Sequence, residues 1–155
     1  MLPIDAITQR YRDLMIETFP EFQGRVYLNR TLPLNHDQGE VPGIIVNQGD
    51  DLPNNDSATL DQSGWIASVG IGFTVAGNSD EEPALVSQLN TLRLRAHVAI
   101  MNDSRLGFPW VIESAPGQAQ QVTSDAGSSI IVKELSTNWQ SVYLADRRNP
   151  DVSYP

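Results

Sequence analysis

Apolar residues recur at helical spacing near the start of the chain, and mostly polar residues fill the positions between them. The recurring residues are Ile4, Ile7, Tyr11, Leu14 and Met15. Steps of three and four residues place them on one side of a helix. Pro3 suits the first turn of such a helix, whereas Pro20 cannot continue it. The pattern predicts an amphipathic helix over residues 5–18.

Strand-forming residues dominate three later segments. Residues 25–29 (RVYLN) and 43–47 (GIIVN) are rich in β-branched and aromatic side chains, which predicts two short strands. Residues 65–76 (WIASVGIGFTVA) predict a longer third strand. One face of it carries Trp65, Val69, Ile71, Phe73 and Val75, and the other carries Ser68, Gly70, Gly72 and Thr74. The two glycines leave the second face nearly flat, which suits close approach by another backbone or a bend in the strand.

A second helix is expected after the third strand. Asn78, Ser79 or Asp80 can cap its start, and it should run to about Met101. Its apolar stripe consists of Leu85, Leu89, Leu92, Ala96 and Ile100. The remaining chain alternates more weakly, and it predicts strand-like segments at residues 110–113, 120–123, 130–133 and 139–144.

Three polar segments connect or follow these elements. Residues 31–41 predict a long exposed loop. Residues 49–64 (GDDLPNNDSATLDQSG) are rich in turn formers and acids, and they predict a second loop that is either functional or disordered. Residues 146–155 (DRRNPDVSYP) have no periodicity, which predicts an extended tail.

The predicted order of elements is α-β-β-β-α-β-β, with one further strand as an alternative. The helices are too few, and the strands too often adjacent, for a doubly wound parallel sheet. The expected fold class is therefore α+β, with a mainly antiparallel β-sheet and two α-helices packed on one face. A chain of 155 residues suits one such domain over residues 1–145, followed by the tail.

Composition narrows the possible functions. The net charge is −9 and the basic residues are scattered, which argues against a surface that grips phosphate. The chain has no cysteine, so disulfides and thiolate zinc sites are excluded. The first residues lack the pattern of a secretory signal, and no apolar run approaches the roughly 18 residues of a transmembrane helix. We therefore expect neither a signal peptide nor a membrane span.

The sequence contains few residues in patterns typical of catalysis or metal binding. His36 lies in a polar loop and His97 on the second helix, and neither has the paired spacing of zinc ligands. The acids of residues 49–64 do not match an EF-hand, although looser calcium binding is an alternative. The sequence contains no nucleophile elbow, P-loop or dinucleotide fingerprint. We expect no catalytic residue, no metal and no cofactor.

Several segments follow one another in a recognisable order. They are the opening helix, VYLNRTLPL leading to VPGIIVNQGDD, the polar loop, WIASVGIGFTVAG, SDEEPALVSQLNTLRLRAHVAIM and a closing strand around NWQSVYLAD. Residues 4–146 resemble the tail terminator (tail completion) proteins of long-tailed bacteriophages. The likeness lies in the order of the elements, the placement of the prolines and the strand that begins with tryptophan. This is the family of the lambda-type minor tail protein U. The chain departs from the family pattern in the longer segment 115–136 and in the tail.

The resemblance implies a non-enzymatic structural protein of the virion tail or neck, assembled in the host cytoplasm. It implies a homo-oligomer, a hexameric ring that caps the tail tube, ends tube polymerisation and meets the head–tail connector. DNA would pass through the lumen without sequence-specific binding. We expect the contacts to come from the polar segments and the glycine-bearing strand. The candidate interface residues are Asp50, Asp51, Asp56, Asp61, Gly70, Gly72, Arg147, Arg148 and Tyr154.

Three alternatives stay open. The first is another ring of the same apparatus, a head-completion or neck adaptor protein. The second is a small-ligand or peptide-binding α+β module that uses the open face of its sheet. The third is an enzyme, which would require His36 or His97 to converge with Asp residues in a cleft.

Overall fold

The computed structural model describes residues 1–59, 61–125 and 129–149. Two α-helices and five β-strands follow one another in the predicted order. They are α1 (Pro3–Thr18), β1 (Val26–Leu28), β2 (Gly43–Pro53), β3 (Gln62–Asn78), α2 (Glu82–Met101), β4 (Val111–Asp125) and β5 (Ile130–Asp146). Single 3-10 turns lie at Pro20–Phe22, His36–Gln38, Asn55–Ser57 and Ser79–Glu81.

The strands form one sheet in the order β1-β2-β3-β5-β4. β1 pairs with β2 in parallel, and the other three pairings are antiparallel. The chain therefore has the expected α+β fold with a mainly antiparallel sheet. β4 is an edge strand, and this position explains how it can contain Pro116 and Gly117, because a break in pairing is tolerated at an edge. The register of β4 shifts between Pro116 and Ala119.

Both helices pack on the same face of the sheet. The predicted stripe of α1 and that of α2 are buried in one apolar core with alternate residues of β3 and β5. Phe19, which follows α1, packs edge-to-face on Phe73 of β3 at 5.3 Å. On β5, Trp139 lies 6.4 Å from Tyr11 and 5.6 Å from His97, measured between ring centroids. The helical periodicity correctly predicted the buried residues of both helices, and the alternation of β3 did so for Val69, Ile71, Phe73 and Val75. Trp65 is only half-buried, whereas Ser68 and Thr74 on the opposite face are buried as well.

The prediction of one long loop over residues 49–64 is wrong. β2 continues to Pro53 and β3 begins at Gln62, so most of this segment is the end of a β-hairpin. Polar residues form strands here because their backbone groups bond to the neighbouring strands, while most of their side chains face solvent. The hydrogen bond from Asn54 N to Gly64 O, at 2.7 Å, closes the hairpin end.

The C-terminal part also differs from the prediction. The four strand-like segments after residue 108 belong to two long strands, β4 and β5. Asp146 is still paired, with Gln62, so the sheet extends one residue beyond the predicted domain end. Residues 147–149 leave the sheet, and the rest of the predicted tail, including Tyr154, lies outside the described residues. Within the described ranges, neither helix combines the length and hydropathy needed to cross a bilayer.

Candidate functional site

The face of the sheet opposite the helices, here called the outer face, carries an open groove. The chain segment 30–42 crosses this face beside β2, and its Leu34 is buried there. The outer-face groove lies between that segment and the strands β3 and β5, in two adjoining parts of about 240 and 420 Å³. The smaller part is lined by Asn47, Gly70, Gly72 and Glu134. The larger part is lined by Glu134, Thr74 and His36.

Arg30 fixes the segment that forms one wall of this groove. Its guanidinium donates to Leu32 O at 3.1 Å, to Pro33 O at 3.2 Å and to both carboxylate oxygens of Glu40. It also lies over the ring of Tyr27, 5.1 Å from the centroid. The hydrogen bonds from Arg30 hold the pKa of Glu40 below its ordinary value. The predicted exposed loop is therefore irregular but internally bonded.

The groove contains polar atoms with no partner. Thr74 Oγ1, Asn47 Oδ1 and His36 Nδ1 are each buried and lack a hydrogen bond in the described part of the chain. Thr74 as a whole is only 3% exposed. Buried polar atoms are nearly always hydrogen-bonded, so three such atoms without a partner along one groove make it a candidate binding site.

Glu134 lies between these atoms and is half-buried. Its Oε1 accepts a hydrogen bond from the Ser136 hydroxyl at 3.0 Å. No cationic side chain of the described ranges forms an ion pair with it. Glu134 has no sequence signal beyond an outward position in the alternating strand β5, so it could not be predicted as a site residue.

Gly70 and Gly72, two of the predicted interface residues, form the floor of the groove. A Cβ atom at Gly70 would have only Asn47 O within 4 Å, at 3.9 Å. A Cβ at Gly72 would lie 3.0 Å from Glu134 Oε1 and from Ser136 Oγ. The flat face predicted for this strand is therefore open at Gly70, whereas at Gly72 the neighbouring side chains of β5 occupy the space.

The other predicted interface residues lie mainly at one end of the sheet. The backbone nitrogen of Arg147 donates to Asp61 O at 3.1 Å, which joins the end of β5 to the β2–β3 hairpin. Asp56 lies in the turn of that hairpin, and Asp50 lies where the register of β2 shifts. The side chains of Asp50, Asp56 and Asp61 have no hydrogen bond or ion pair in the ranges described. We call this region the hairpin end.

Asp51 differs from the other three acids. Its Oδ2 accepts a hydrogen bond of 2.7 Å from the Tyr143 hydroxyl, on the face that packs against the helices. Burial raises the pKa of the Asp51 carboxyl, against the lowering effect of that hydrogen bond. Burial also raises the pKa of Tyr143, helped by the hydrogen bond to Asp51 and by the charge of Asp51. This geometry gives Asp51 a structural contact instead of a free surface position.

We expect Tyr143→Phe to lower the free energy of unfolding at pH 7 by about 1–3 kcal/mol, because Asp51 then loses its donor. The sign of the pH dependence follows from the raised pKa values. The folded protein binds more protons than the unfolded chain, so stability falls as pH rises above the ordinary Asp pKa of about 3.9, and again above the Tyr value of about 10. The variant should lose much of the second fall.

Urea unfolding at neutral and alkaline pH measures both effects. Tyr27→Phe is the matched control, because the Tyr27 hydroxyl has no hydrogen bond among the described residues while its ring contacts Arg30. A loss for Tyr143→Phe no larger than that of Tyr27→Phe would contradict the structural role of the Asp51 contact.

The two histidines lie on opposite faces of the sheet. His36 lines the outer-face groove, whereas His97 lies on α2 beside Trp139. They cannot therefore contribute to one site. In the part of the chain that the structure describes, no group of three or more His, Asp or Glu residues is placed to hold a metal ion. The groove combines the carboxylates of Glu134 and Asp37 with the unpartnered polar atoms, and Arg30, a cation that also lines it, is bonded to Glu40. This arrangement suits binding of a donor-rich group.

No protein-family model matches the chain, and no curated protein sequence matches it significantly.

Proposed function

We propose that this protein is a structural subunit of a phage tail, which forms a ring on the tail tube and ends tube polymerisation. Its other side would meet the head–tail connector, and DNA would pass through the ring. The proposal starts from the resemblance of residues 4–146 to tail terminator proteins. A net charge of −9 is compatible with a channel that does not retain DNA.

The observation that carries the proposal is a pair of unlike polar surfaces on one sheet. Among the described residues, the hairpin end carries charged side chains without a partner, and the outer-face groove has buried acceptors without one. Repeating contacts between unlike surfaces produce a ring if the rotation between subunits closes. A subunit that ends a tube needs such lateral contacts. It also needs a face complementary to the tube and an opposite face on which the tube subunit cannot add.

An assembly assay tests this function, in which tubes grow from the tube subunit that is encoded in the same genome as this protein. We expect added protein to shorten the tubes and to appear as a ring at one tube end in electron micrographs. Asp56→Asn and Asp61→Asn remove charge from the hairpin end and should weaken this arrest. Asp80→Asn, at the turn before α2, is the control and should act like the parent. Unchanged tube lengths and bare tube ends with the parent protein would refute the proposal.

The outer-face groove also favours a second candidate, a peptide-binding module. A flat floor with unsatisfied acceptors can receive an extended peptide. This candidate predicts a protein that remains monomeric beside tube subunits and binds a peptide in the groove. Gly70→Leu would block such binding without disturbing the fold, because the space above Gly70 is open. Sedimentation with and without tube subunits separates the two candidates.

A further inference from the structure

Most basic side chains of this protein are already paired within the chain. Those with a side-chain hydrogen bond or ion pair are Arg10, Arg12, Arg25, Arg30, Arg95, Arg105 and Lys133. The remaining ones are Arg93, Arg147 and Arg148, whose side chains have no partner in the described ranges. Two of these three unpaired cations are therefore adjacent, at the hairpin end.

Arg147 and Arg148 are exposed and held in a defined turn. Asp146 Oδ1 accepts hydrogen bonds from Arg148 N at 2.8 Å and from Asn149 N at 3.0 Å. The bond from Arg147 N to Asp61 O anchors the same turn to the hairpin. The backbone that carries the two guanidinium groups is thus tied to the hairpin, and neither group has a partner among the described residues.

The unpaired carboxylate of Glu134 lies far from these arginines in the same molecule. Glu134 and Arg147 are separated by 13 residues (147 − 134), almost all of them in the extended strand β5. A strand rises roughly 3.3 Å per residue, so this separation is roughly 40 Å. An arginine side chain cannot cross that distance. The two unpaired groups can meet only between different molecules.

We propose that Arg147 and Arg148 of one copy dock into the outer-face groove of the next copy, with a guanidinium against Glu134. The acceptor that the groove presents is the half-buried Glu134 carboxylate. Thr74 Oγ1, Asn47 Oδ1, and His36 Nδ1 when its ring proton is on Nε2, are buried acceptors along the same groove, which a guanidinium reaches once those side chains turn toward it. A guanidinium supplies five N–H donors in a planar fork and accepts none, which matches this set. The contact also neutralises a half-buried carboxylate.

This contact joins unlike surfaces, so it can repeat from copy to copy. Each copy has one groove and one arginine pair, and each uses both. The inference rests on the proposed function, because a ring around a tube needs this kind of lateral contact. It goes further by naming the side chains that meet.

Cysteine crosslinking tests the contact directly, because the chain has no cysteine of its own. Leu32→Cys marks the groove rim, where Leu32 is 71% exposed, and Asn149→Cys marks the arginine turn. Each single variant is mixed with the other and treated with a bismaleimide, alone and beside tube subunits. Thr91→Cys, exposed on α2, replaces Leu32→Cys in the control mixture. We expect mixed dimers from the Leu32 and Asn149 pair, at about tenfold the control yield.

Charge exchange gives a second readout. Glu134→Arg or Arg148→Glu, each added to the cysteine variants, should lower the yield about tenfold, and the two together should restore it. Arg93→Glu makes the same change in net charge as Arg148→Glu, and it should leave the yield unchanged. Glu134→Gln keeps the size of the side chain and should also lower the yield. A yield no higher than that of the Thr91 mixture, or one that these exchanges do not alter, overturns the proposal.

The tube assay separates failure of this contact from failure of the proposed function. If Arg148→Glu and Glu134→Arg chains still arrest tubes as the parent does, the contact is wrong and the function stands. Conversely, crosslinks that follow the charge pattern without any arrest of tubes would support the contact and refute the function.

Discussion

Replacing Trp139 by alanine is expected to lower the free energy of unfolding by about 3–5 kcal/mol, the usual cost of removing a large aromatic side chain from a core. Trp139 is only 3% exposed and lies on β5 under both helices. Its ring contacts Tyr11 of α1 and His97 of α2. Alanine would leave a cavity where α1, α2 and the sheet meet, and rigid strands on one side limit how far it can collapse.

Urea unfolding followed by far-UV circular dichroism measures this loss. Leu94→Ala is the control, since Leu94 is an apolar residue of α2 that is 62% exposed, and it should cost no more than about 0.5 kcal/mol. If Trp139→Ala cost as little as Leu94→Ala, the packing of both helices on one face of the sheet would be wrong.

The second large effect is expected at Gly43, where β2 begins. A Cβ atom there would lie 2.5 Å from Glu40 O and 2.7 Å from Leu34 Cδ1. Glu40 O is a backbone atom in the segment that Arg30 holds in place, so it cannot move away easily. Gly43→Ala should therefore destabilise the fold by about 2–3 kcal/mol, as overpacking does elsewhere. Thermal and urea unfolding give the magnitude, and hydrogen exchange should show the loss centred on segment 30–42.

Gly70 provides a matched control, because it is also a glycine in a strand of the same sheet. Its Cβ position is open, so Gly70→Ala should be neutral or stabilising by up to about 0.5–1 kcal/mol, the usual advantage of alanine over glycine in a strand. Equal losses for the two variants would mean that strand glycines are required here for a reason other than the close approach at Gly43.

Parts of the candidate site could be predicted from the sequence. Alternation alone places Gly70 and Gly72 on a flat strand face, and they line the groove. Asp61 and Arg147 belong to polar segments that predict surface contacts, and the backbones of these two residues meet. Asp51 could not be separated from its neighbours, because the shift in the register of β2 decides which way its side chain points. Hydrophobicity carries no information about a register shift between two polar strands.

The sequence alone determined the order of the helices and strands and which faces of α1, α2 and the central part of β3 are buried, because these depend on periodicities of a few residues. The stripes of Ile7 and Tyr11 on α1, and of Leu89 and Ala96 on α2, are examples. Only the tertiary structure decided that Thr74 Oγ1 and Asn47 Oδ1 have no hydrogen-bond partner among the described residues, and that Arg147 lies far from Glu134. Whether a polar atom is satisfied depends on neighbours that are distant in the chain, and strand pairing brings those neighbours together or keeps them apart.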